Sequence, residues 1–340
     1  MNKWIGTANQ GYSPYAIEEL RRLFERLKVS PLAAGEVFMV ESEVSPETFV
    51  DTISKERPAF LRHIQPVDRT FELQGNDADL ERLAEAVSDA KSNLSGKDVA
   101  VHVRRNAKTS YPFSAADTKA ALDRTLTECG AEHVVQSPDL IVAVYAAENE
   151  LHVGIGSPKD MLSDWPGGAI RFQREEGQIS RAKFKLLEAE REFGLDYANF
   201  RAALDIGAAP GGWTSLLLER GVRVTAIDPG ELHPSLLGNK RLTYLKKNAS
   251  DVKFQPDTFD LLVCDMSWSP MQMSRLVLDL EQALVPGATA IVTVKLMHRK
   301  PLQTIREVKE RMSTAFVIRR SKQLFHNREE ITLYMTKKDT

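Results

Sequence analysis

LDIGAAPGGW, residues 204–213, leaves a strand of the buried type and enters a helix after Gly212. Small residues in the turn let a ligand approach the backbone closely, and the N-terminus of the helix offers unpaired N–H groups. The turn therefore predicts a pocket for a polar ligand. Its spacing fits the dinucleotide motif Gly-x-Gly-x-x-Gly poorly, because position 209 is alanine, and no Gly-Lys-Ser/Thr follows to form a phosphate loop.

An acidic residue follows this turn at the spacing expected for a ribose-binding carboxylate. Asp228 lies twenty-one residues after Gly207 and closes the second strand, where its carboxylate can accept hydrogen bonds from both hydroxyls of a ribose. Turn and acid together indicate a nucleoside pocket and resemble the S-adenosylmethionine site of class I methyltransferases. The resemblance implies S-adenosyl-L-methionine as cofactor, with Asn248 near the adenine. It implies the following binding residues: Gly207, Ala208, Pro210, Gly211, Gly212, Trp213, Asp228, Asn248 and Asp265.

From residue 180 onward, helices alternate strictly with strands. Helices are predicted from about residue 181 to 193, after Gly212, and over MSRLVLDLEQAL and LQTIREVKERM. The candidate strands are ALDI, VRVTAI, LTYL, FDLLVC, TAIVTV, AFVIRR and ITLYM. This alternation predicts an α/β domain over residues 180–340 with a mostly parallel, doubly wound sheet, Rossmann-like in class. Its ligand should lie beyond the carboxyl ends of the strands.

Four ionisable residues lie at positions that would line a ligand crevice beyond the carboxyl ends of the strands. Lys185 lies on the helix before the first strand, and Asp265 ends the fourth strand. Lys295 ends the fifth strand, and Glu330 opens the last. An exposed Lys or Glu at the end of an element is usually only solvated, but strand-end positions in this kind of sheet face the ligand. We therefore expect the four side chains to converge above the sheet.

The segments ISRAKFKLLEA, DIGAAPGGWT, VCDMS, TVKL and REEITLY, in that order, resemble the FtsJ-like (RrmJ-type) family of RNA 2'-O-ribose methyltransferases. The resemblance covers residues 180–340. It implies that the Lys-Asp-Lys-Glu tetrad of the family falls on Lys185, Asp265, Lys295 and Glu330, with Glu329 as an alternative for the glutamate. Segments around SDWPGG and KQLFHNREEITL are similar to those of members that methylate a cytidine of 23S ribosomal RNA, which implies ribosomal RNA as the partner.

The chemistry accounts for these residue types. A ribose 2'-hydroxyl is a poor nucleophile, whereas the methyl group of a sulfonium is a good electrophile that mainly needs in-line positioning. An ammonium group held against the oxygen stabilises the developing alkoxide. Our hypothesis makes Lys295 the principal activator. Asp265 orients Lys295 and relays the proton, and Lys185 and Glu330 complete the network.

Other functions stay open as alternatives. One is methylation of an RNA base, although the (Asp/Asn)-Pro-Pro-aromatic motif of amine methylation is replaced here by Asp265-Met266-Ser267-Trp268. Methylation at cytosine C5 needs a thiolate, and strand alternation points Cys264 away from Asp265, so a buried structural cysteine is the better interpretation. The remaining alternative is an RNA-binding or assembly protein that keeps the fold without turnover.

The first half of the chain predicts two small α+β domains. Residues 1–68 resemble a ferredoxin-like domain and residues 70–165 a THUMP-like RNA-binding domain, with 166–179 as a linker. The strongest likeness lies in IGTANQGYSPYAIEEL and VAVHVRR. This resemblance implies RNA contacts by Arg104, Arg105 and Lys108, beside the aromatic residues Tyr111 and Phe113. A solvated strand end is the plain alternative.

Length and composition limit the number of domains and the class of protein. With 340 residues the chain is long enough for two or three domains, and its 42% hydrophobic and 27% charged content is that of a soluble globular protein without a membrane span. Two cysteines and no apolar leader favour the cytoplasm.

The net charge is -2, yet residues 291–340 carry twelve Lys and Arg against five Asp and Glu. There, His298, Arg299 and Lys300 are candidates for RNA phosphate contacts. The seven histidines show no metal-binding spacing, so no metal is expected. The oligomeric state stays open.

Overall fold

The computed structural model describes residues 1–297 and 300–339. The chain divides into two compact units, Met1–Ile170 and Arg171–Thr340. They are called here the front unit and, because it contains the four residues predicted to be catalytic, the catalytic unit. Within the described ranges, no helix is both long enough and apolar enough to span a membrane.

The front unit begins with a four-stranded antiparallel sheet of order β2-β3-β1-β4. Its elements in chain order are β1 (Asn2–Thr7), α1 (Ser13–Leu23), β2 (Leu27–Ala33), β3 (Val37–Ser42), α2 (Pro46–Glu56) and β4 (His63–Val67). The pair Ser45-Pro46 predicts the start of a helix, and α2 begins there, because the side chain of Ser45 accepts a hydrogen bond from the Thr48 backbone N–H. Pro46 occupies the first turn, where its missing N–H is not needed.

One strand of this sheet was missed by the sequence analysis. The apolar spacing of AIEELRRLFERL, residues 16–27, predicts a helix up to residue 27, but α1 ends at Leu23 and the chain turns into β2. Pro31 in β2 cannot donate to a ladder, and prolines are tolerated on edge strands, which is where β2 lies. The sequence also predicts a strand around residues 60–64, and the strand lies at His63–Val67.

A second, five-stranded sheet of order β5-β9-β8-β6-β7 completes the front unit. Its elements are β5 (Arg69–Glu72), α3 (Ala78–Asp89), α4 (Lys91–Leu94), β6 (Asp98–Arg105), α5 (Ala115–Glu128), β7 (Glu132–His133), β8 (Leu140–Ala146) and β9 (Glu150–Gly156). The stretch DLIVAVYAAENELHVGIG, residues 139–156, predicts a hairpin, and β8 and β9 form it as an antiparallel pair. Helix α5 is capped by Ser114, whose side chain accepts from the Asp117 backbone N–H.

The stretch that was predicted as the start of a linker packs against the front unit. Residues Pro166–Gly168 form a short 3-10 turn, and Arg62 Nε donates to the Gly167 carbonyl at 2.9 Å. A side chain at Gly168 would lie 2.8 Å from Arg62 Cγ. The close fit explains why the two units divide after Ile170, inside the predicted linker of residues 166–179.

The catalytic unit is a doubly wound sheet with helices between its strands, which confirms the predicted α/β class. The elements are α6 (Ala182–Glu192), β10 (Ala202–Ile206), α7 (Gly212–Glu219), β11 (Arg223–Ile227), β12 (Leu242–Leu245), β13 (Phe259–Cys264), α8 (Pro270–Asp279), β14 (Leu284–Lys295), α9 (Pro301–Met312), β15 (Phe316–Lys322) and β16 (Glu330–Lys337). All seven predicted strands are present in the order β12-β11-β10-β13-β14-β16-β15. Strand β16 runs antiparallel between β14 and β15, and the other neighbouring pairs are parallel.

The topology places a crevice at the middle of this sheet. Strand β10 lies between β11 and β13, where the strand order reverses, and ligands of such sheets bind beyond the carboxyl ends at that point. Ala203, Leu204 and Ile206 of β10 are buried, as expected for a central parallel strand covered on both faces. A packed core therefore holds the loops after β10, β11 and β13 in place.

Candidate active site

The loop after β10 is held tightly by its neighbours. The Gly207 N–H donates to the carbonyl of Ile227 at 3.0 Å, which fixes the start of the loop against β11. Gly207 has a φ of +74°, and a side chain there would collide with Met266 of the loop after β13. At Gly212 a Cβ would lie 2.5 Å from Ser180 Oγ, so both positions need glycine.

Asp228 stands beside this loop, directly after β11. Its Oδ2 accepts a hydrogen bond from the Ala209 backbone N–H at 3.1 Å, and its Oδ1 accepts from the Gly230 N–H at 2.6 Å. A carboxylate oxygen has two lone pairs, so each oxygen retains one acceptor site. The backbone thus orients Asp228 without using up its hydrogen-bonding capacity. Asn248, three residues after β12, is exposed.

Trp213 does not face the crevice, contrary to what the resemblance implied for it. Its side chain is only 3% exposed and lies in the core of the catalytic unit. The indole Nε1 donates to the carbonyl of Ala182 at 2.8 Å, so Trp213 ties helix α7 to helix α6. An indole that is enclosed and already hydrogen-bonded cannot contact a ligand with its side chain. The neighbouring Ala208 and Gly211 are buried too, while Pro210 is exposed at the tip of the loop.

Three of the four predicted ionisable residues form one cluster. Lys185 Nζ lies 2.9 Å from Asp265 Oδ1, 2.8 Å from Asp265 Oδ2 and 3.1 Å from Glu330 Oε1. Helix α6 supplies the lysine, the end of β13 supplies the aspartate, and the start of β16 supplies the glutamate. The three side chains are each about one-fifth exposed, so the cluster is partly screened from water yet open on one side.

The charge of Lys185 is fixed by its two acidic neighbours. Burial opposes the ammonium form, but the carboxylates of Asp265 and Glu330 outweigh it and raise the pKa of Lys185 above its ordinary value. Lys185 is therefore a stable cation at neutral pH. It can hold carboxylates in place or stabilise negative charge, but it cannot take a proton from a substrate.

Lys295 stands apart from this cluster. It is exposed at the end of β14, and no described carboxylate lies within ion-pair distance of it. In the antiparallel register Lys295 lies opposite Glu330, which puts the two side chains on one face of the sheet. The hypothesis that Asp265 orients Lys295 does not match the observed contacts, because Asp265 bonds to Lys185 instead.

Two further residues of the site were missed by the sequence analysis. Thr293 Oγ1 donates to Asp265 Oδ1 at 2.9 Å, and it is two residues before Lys295, so strand alternation placed both on one face. Asp205 is fully buried in β10, and Thr214 Oγ1 donates to its Oδ2 at 2.6 Å. Burial raises the pKa of Asp205 to about 7, with smaller contributions from the charges of Asp265 and Asp228. In the sequence, the signal for this site residue is an acidic side chain within an otherwise apolar strand.

The structure also bears on thiolate and metal chemistry. Cys264 is buried, and burial raises the pKa of its thiol well above the usual range, so it stays protonated as a structural residue. In the ranges 1–297 and 300–339, no three His, Cys, Asp or Glu residues come together in a way that could hold a metal ion.

In the front unit, Arg104 is enclosed rather than available to RNA, which corrects the expectation for this residue. Its Nη1 donates to Thr7 Oγ1 at 2.8 Å, and its guanidinium lies 5.1 Å from the centre of the Tyr145 ring. The Nε and Nη2 atoms are shielded from water. Burial lowers the pKa of Arg104 to about 10. The arginine therefore joins the two sheets of the front unit.

The other predicted RNA-binding residues differ in their surroundings. Arg105 and Lys108 are exposed, and Arg105 Nη2 donates to the Tyr111 carbonyl at 2.7 Å. Tyr111 itself is buried, so its ring packs in the core and is not available for stacking on a base. Lys300 is exposed at the start of α9. His298 and Arg299 lie outside the described residues.

The sequence is similar to that of a known protein family. The sequence profile of the FtsJ-like methyltransferases matches residues 178–330. A ribosomal RNA large subunit methyltransferase M of Azoarcus sp. is 31% identical over 301 residues, which are 83% of this chain and 80% of that protein. The protein of the same description from Cellvibrio japonicus is 28% identical over 336 residues, 91% and 90% of the two chains.

A third relative is more similar over a shorter stretch. The ribosomal RNA large subunit methyltransferase M of Halorhodospira halophila is 38% identical over 179 residues, which is half of each chain. The aligned stretch of the Azoarcus protein is longer than either unit, so that likeness extends into both of them.

Proposed function

This chain belongs to the family of ribosomal RNA large subunit methyltransferase M, and we propose that it methylates a ribose 2'-hydroxyl of large-subunit ribosomal RNA. The methyl donor is S-adenosylmethionine. Resemblance narrows the proposed target to a cytidine of the 23S RNA, and the cytoplasm is the compartment in which we expect that substrate.

The position of Lys185 carries this proposal. Its Nζ lies within 3.1 Å of both Asp265 and Glu330, and Asp265 directly follows β13, the neighbour of β10 in the sheet. A lysine between two carboxylates forms a fixed charge arrangement that needs no reorganisation during the reaction. Transfer to a hydroxyl oxygen requires such an arrangement, because the oxygen must lose its proton as the new bond forms.

We assign one role to each member of the tetrad. Lys295, the cation that has no described carboxylate partner, stabilises the negative charge developing on the 2'-oxygen. Asp265 accepts the hydroxyl proton. Lys185 and Glu330 hold Asp265 at the correct place, and Thr293 shares this task through its hydrogen bond to Asp265. Glu330 is preferred over Glu329 because its carboxylate contacts Lys185 directly.

The residues after β10 and β11 fit the donor. S-adenosylmethionine supplies a methyl group that is activated by a positively charged sulfur. Residues 207–211 carry no side chain larger than proline, so the nucleoside can come close to the backbone. The free lone pairs of Asp228 suit the two ribose hydroxyls, and we assign Asn248, which is exposed after β12, to the adenine. Trp213 contributes through helix packing only.

For the front unit we propose an RNA-binding role. It contains a four-stranded and a five-stranded sheet, each accompanied by helices. These support the proposal of a ferredoxin-like domain over residues 1–68 and a THUMP-like domain over residues 70–165. Arg105 and Lys108 remain as the phosphate-contacting candidates there, and Lys300 is the described candidate in the catalytic unit. Phosphate contacts of this kind position an RNA without selecting its sequence.

Nucleoside analysis tests the proposal directly. Ribosomal RNA from cells with and without this chain is digested to nucleosides and analysed by mass spectrometry, and a Lys185→Ala variant serves as the inactive control. We expect one 2'-O-methylated cytidine per 23S RNA that disappears without the chain and is not restored by the variant. A methylated base in its place would indicate the base-methylating alternative, and no change would indicate an assembly protein.

A further inference from the structure

Three large apolar side chains are exposed at the edge of the sheet where the catalytic cluster lies. Trp268 is 39% exposed, Met271 is 44% exposed and Met297 is 53% exposed. Elsewhere in the described chain, only four other large apolar side chains are exposed: Met1, Val135, Leu237 and Val317. Trp268 and Met271 follow β13, Met297 follows β14, and these two strands are neighbours in the sheet.

Trp268 is close to the reacting groups along the chain. It follows Asp265 by three residues, and three extended residues span at most about 11 Å, which is roughly the length of a nucleoside. Strand β13 ends at Cys264, and the loop passes beside Gly207 through the side chain of Met266. The Cα atom of Trp268 therefore lies within about 11 Å of the Cα atom of Asp265.

The loop that carries Trp268 is anchored at both ends. Met266 packs against the loop after β10, and Ser269 caps helix α8 by accepting from the Gln272 backbone N–H at 3.3 Å. Ser269 Oγ in turn donates to Gln272 Oε1 at 2.9 Å. Two fixed ends leave Trp268 little freedom to fold back into the core, so its exposure is built into the loop.

The other tryptophans show what this chain does with an indole that serves packing. Trp4 is 2% exposed and Trp213 is 3% exposed. Trp165 is half-buried. An aromatic ring gains most from full burial, and an indole left 39% exposed forgoes part of that gain.

The charges around Trp268 favour RNA over an apolar partner. Lys295 ends the adjacent strand β14, and Lys300 is exposed a few residues later. Exposed aromatic rings next to lysines are the arrangement by which proteins hold single-stranded nucleic acid, because bases stack on the rings while phosphates meet the cations. A protein partner docked through Trp268 would also have to bury these lysines.

We propose that Trp268 stacks on an RNA base within one nucleotide of the methylated ribose and so positions the strand. The inference rests on the proposed function and names a part of the substrate site. Trp268 is a positioning residue, since it touches the base and not the reacting atoms. A stacked base fixes the sugar attached to it, which brings the 2'-oxygen toward Lys295 and Asp265.

Intrinsic fluorescence gives the first test. Unmethylated 23S RNA transcript is titrated into the full-length chain with S-adenosylhomocysteine present to prevent turnover. We expect quenching of tryptophan fluorescence, because a stacked base quenches an indole, and a Trp268→Phe variant should bind the RNA with most of the quenching lost. RNA binding that leaves the fluorescence unchanged would overturn the proposal.

Steady-state kinetics give the second test. Trp268→Leu should raise the KM for RNA roughly tenfold, which is the expected effect of losing one stacked base, with the affinity for S-adenosylmethionine unchanged. Trp268→Phe should restore most of the loss. The matched control is Val317→Ala, because Val317 is also 39% exposed but lies on the edge strand β15. Equal KM values for Trp268→Leu and wild type would refute stacking.

The two proposals fail in different ways. If wild type forms 2'-O-methylated nucleoside but Trp268 variants behave normally, only the stacking inference is wrong. If Trp268→Leu acts normally on naked RNA and loses activity only on ribosomal particles, Trp268 contacts a protein, and stacking is wrong again. If wild type forms no ribose-methylated product, the proposed function itself is wrong.

Discussion

Arg104 of the front unit and Lys185 of the catalytic unit are both largely enclosed cations, but their neighbours differ. Arg104 rests on a hydroxyl group and an aromatic ring, and burial lowers its pKa to about 10. Lys185 faces two carboxylates that raise its pKa in spite of burial. Enclosure alone therefore does not identify a functional cation. A cation paired with acids at a ligand crevice is a prearranged charge, whereas a cation resting on neutral groups joins parts of the fold.

The strongest test of this contrast removes the two lysines of the tetrad. Lys185→Ala and Lys295→Ala should each lower kcat for ribose methylation by about 10²- to 10⁴-fold, because each removes a positioned charge from the reaction. Methyl transfer to 23S RNA transcript is measured under single-turnover conditions, and donor binding by equilibrium dialysis. Lys295→Ala should still bind S-adenosylmethionine. Wild-type turnover in that variant would contradict its assigned role.

Helix α6 itself offers the matched control for Lys185. Lys183 is also buried and lies 2.8 Å from Glu175 and 2.8 Å from Glu219, but neither carboxylate belongs to the catalytic cluster. Lys183→Met should lower the melting temperature while kcat stays close to that of wild type. A collapse of kcat in both variants at unchanged fold would mean that the ion pairs of α6 act through helix position and not through charge at the site.

An effect of intermediate size is expected for Asp205, the buried acid of the catalytic unit. Its folded pKa of about 7 lies above the value of 3.8 for a free side chain, so the folded chain keeps a proton that the unfolded chain releases. The contribution to stability is complete below pH 3.8 and is lost as the pH rises toward 7. Asp205→Asn keeps an acceptor for Thr214 and removes this titration.

Urea unfolding of both full-length chains measures the effect. Between pH 5 and pH 8, the free energy of unfolding of Asp205→Asn should rise relative to wild type by about 2 to 3 kcal/mol. A difference that does not change with pH would show that Asp205 is ionised throughout and that its burial is compensated by other groups.

The smallest effect concerns the cations of the front unit. Lys108→Ala should lower the magnitude of the slope of log affinity for RNA against log salt by about 1, because one phosphate contact is lost. Arg104→Met should leave the slope unchanged and alter the free energy of unfolding by no more than about 2 kcal/mol, since a buried charge is replaced by an apolar chain of similar length. A reduced slope for Arg104→Met would place its guanidinium on the RNA and remove the contrast with Lys185.

Sequence patterns predict the elements whose formation depends on residues close together in the chain. The seven strands of the catalytic unit follow from apolar runs between helices, and the caps at Ser45 and Ser114 follow from side chains that bond three residues ahead. The pattern failed at β2, where no local signal separates an edge strand containing a proline from the end of a helix. Pairing with β3 stabilises that strand, and pairing is not visible in one sequence.

The doubly wound class, the turn around Gly207 and the candidate positions of the tetrad can be derived from the amino-acid sequence alone, because hydrophobic periodicity, glycine positions and strand ends are local properties. The ion pairs of Lys185 with Asp265 and Glu330, the position of Lys295 outside them, and the enclosure of Arg104 and Trp213 are visible only in the folded chain. Burial and charge pairing depend on residues that are far apart in the chain. The same lysine or indole is solvated, packed or poised for a ligand according to which distant elements pack around it.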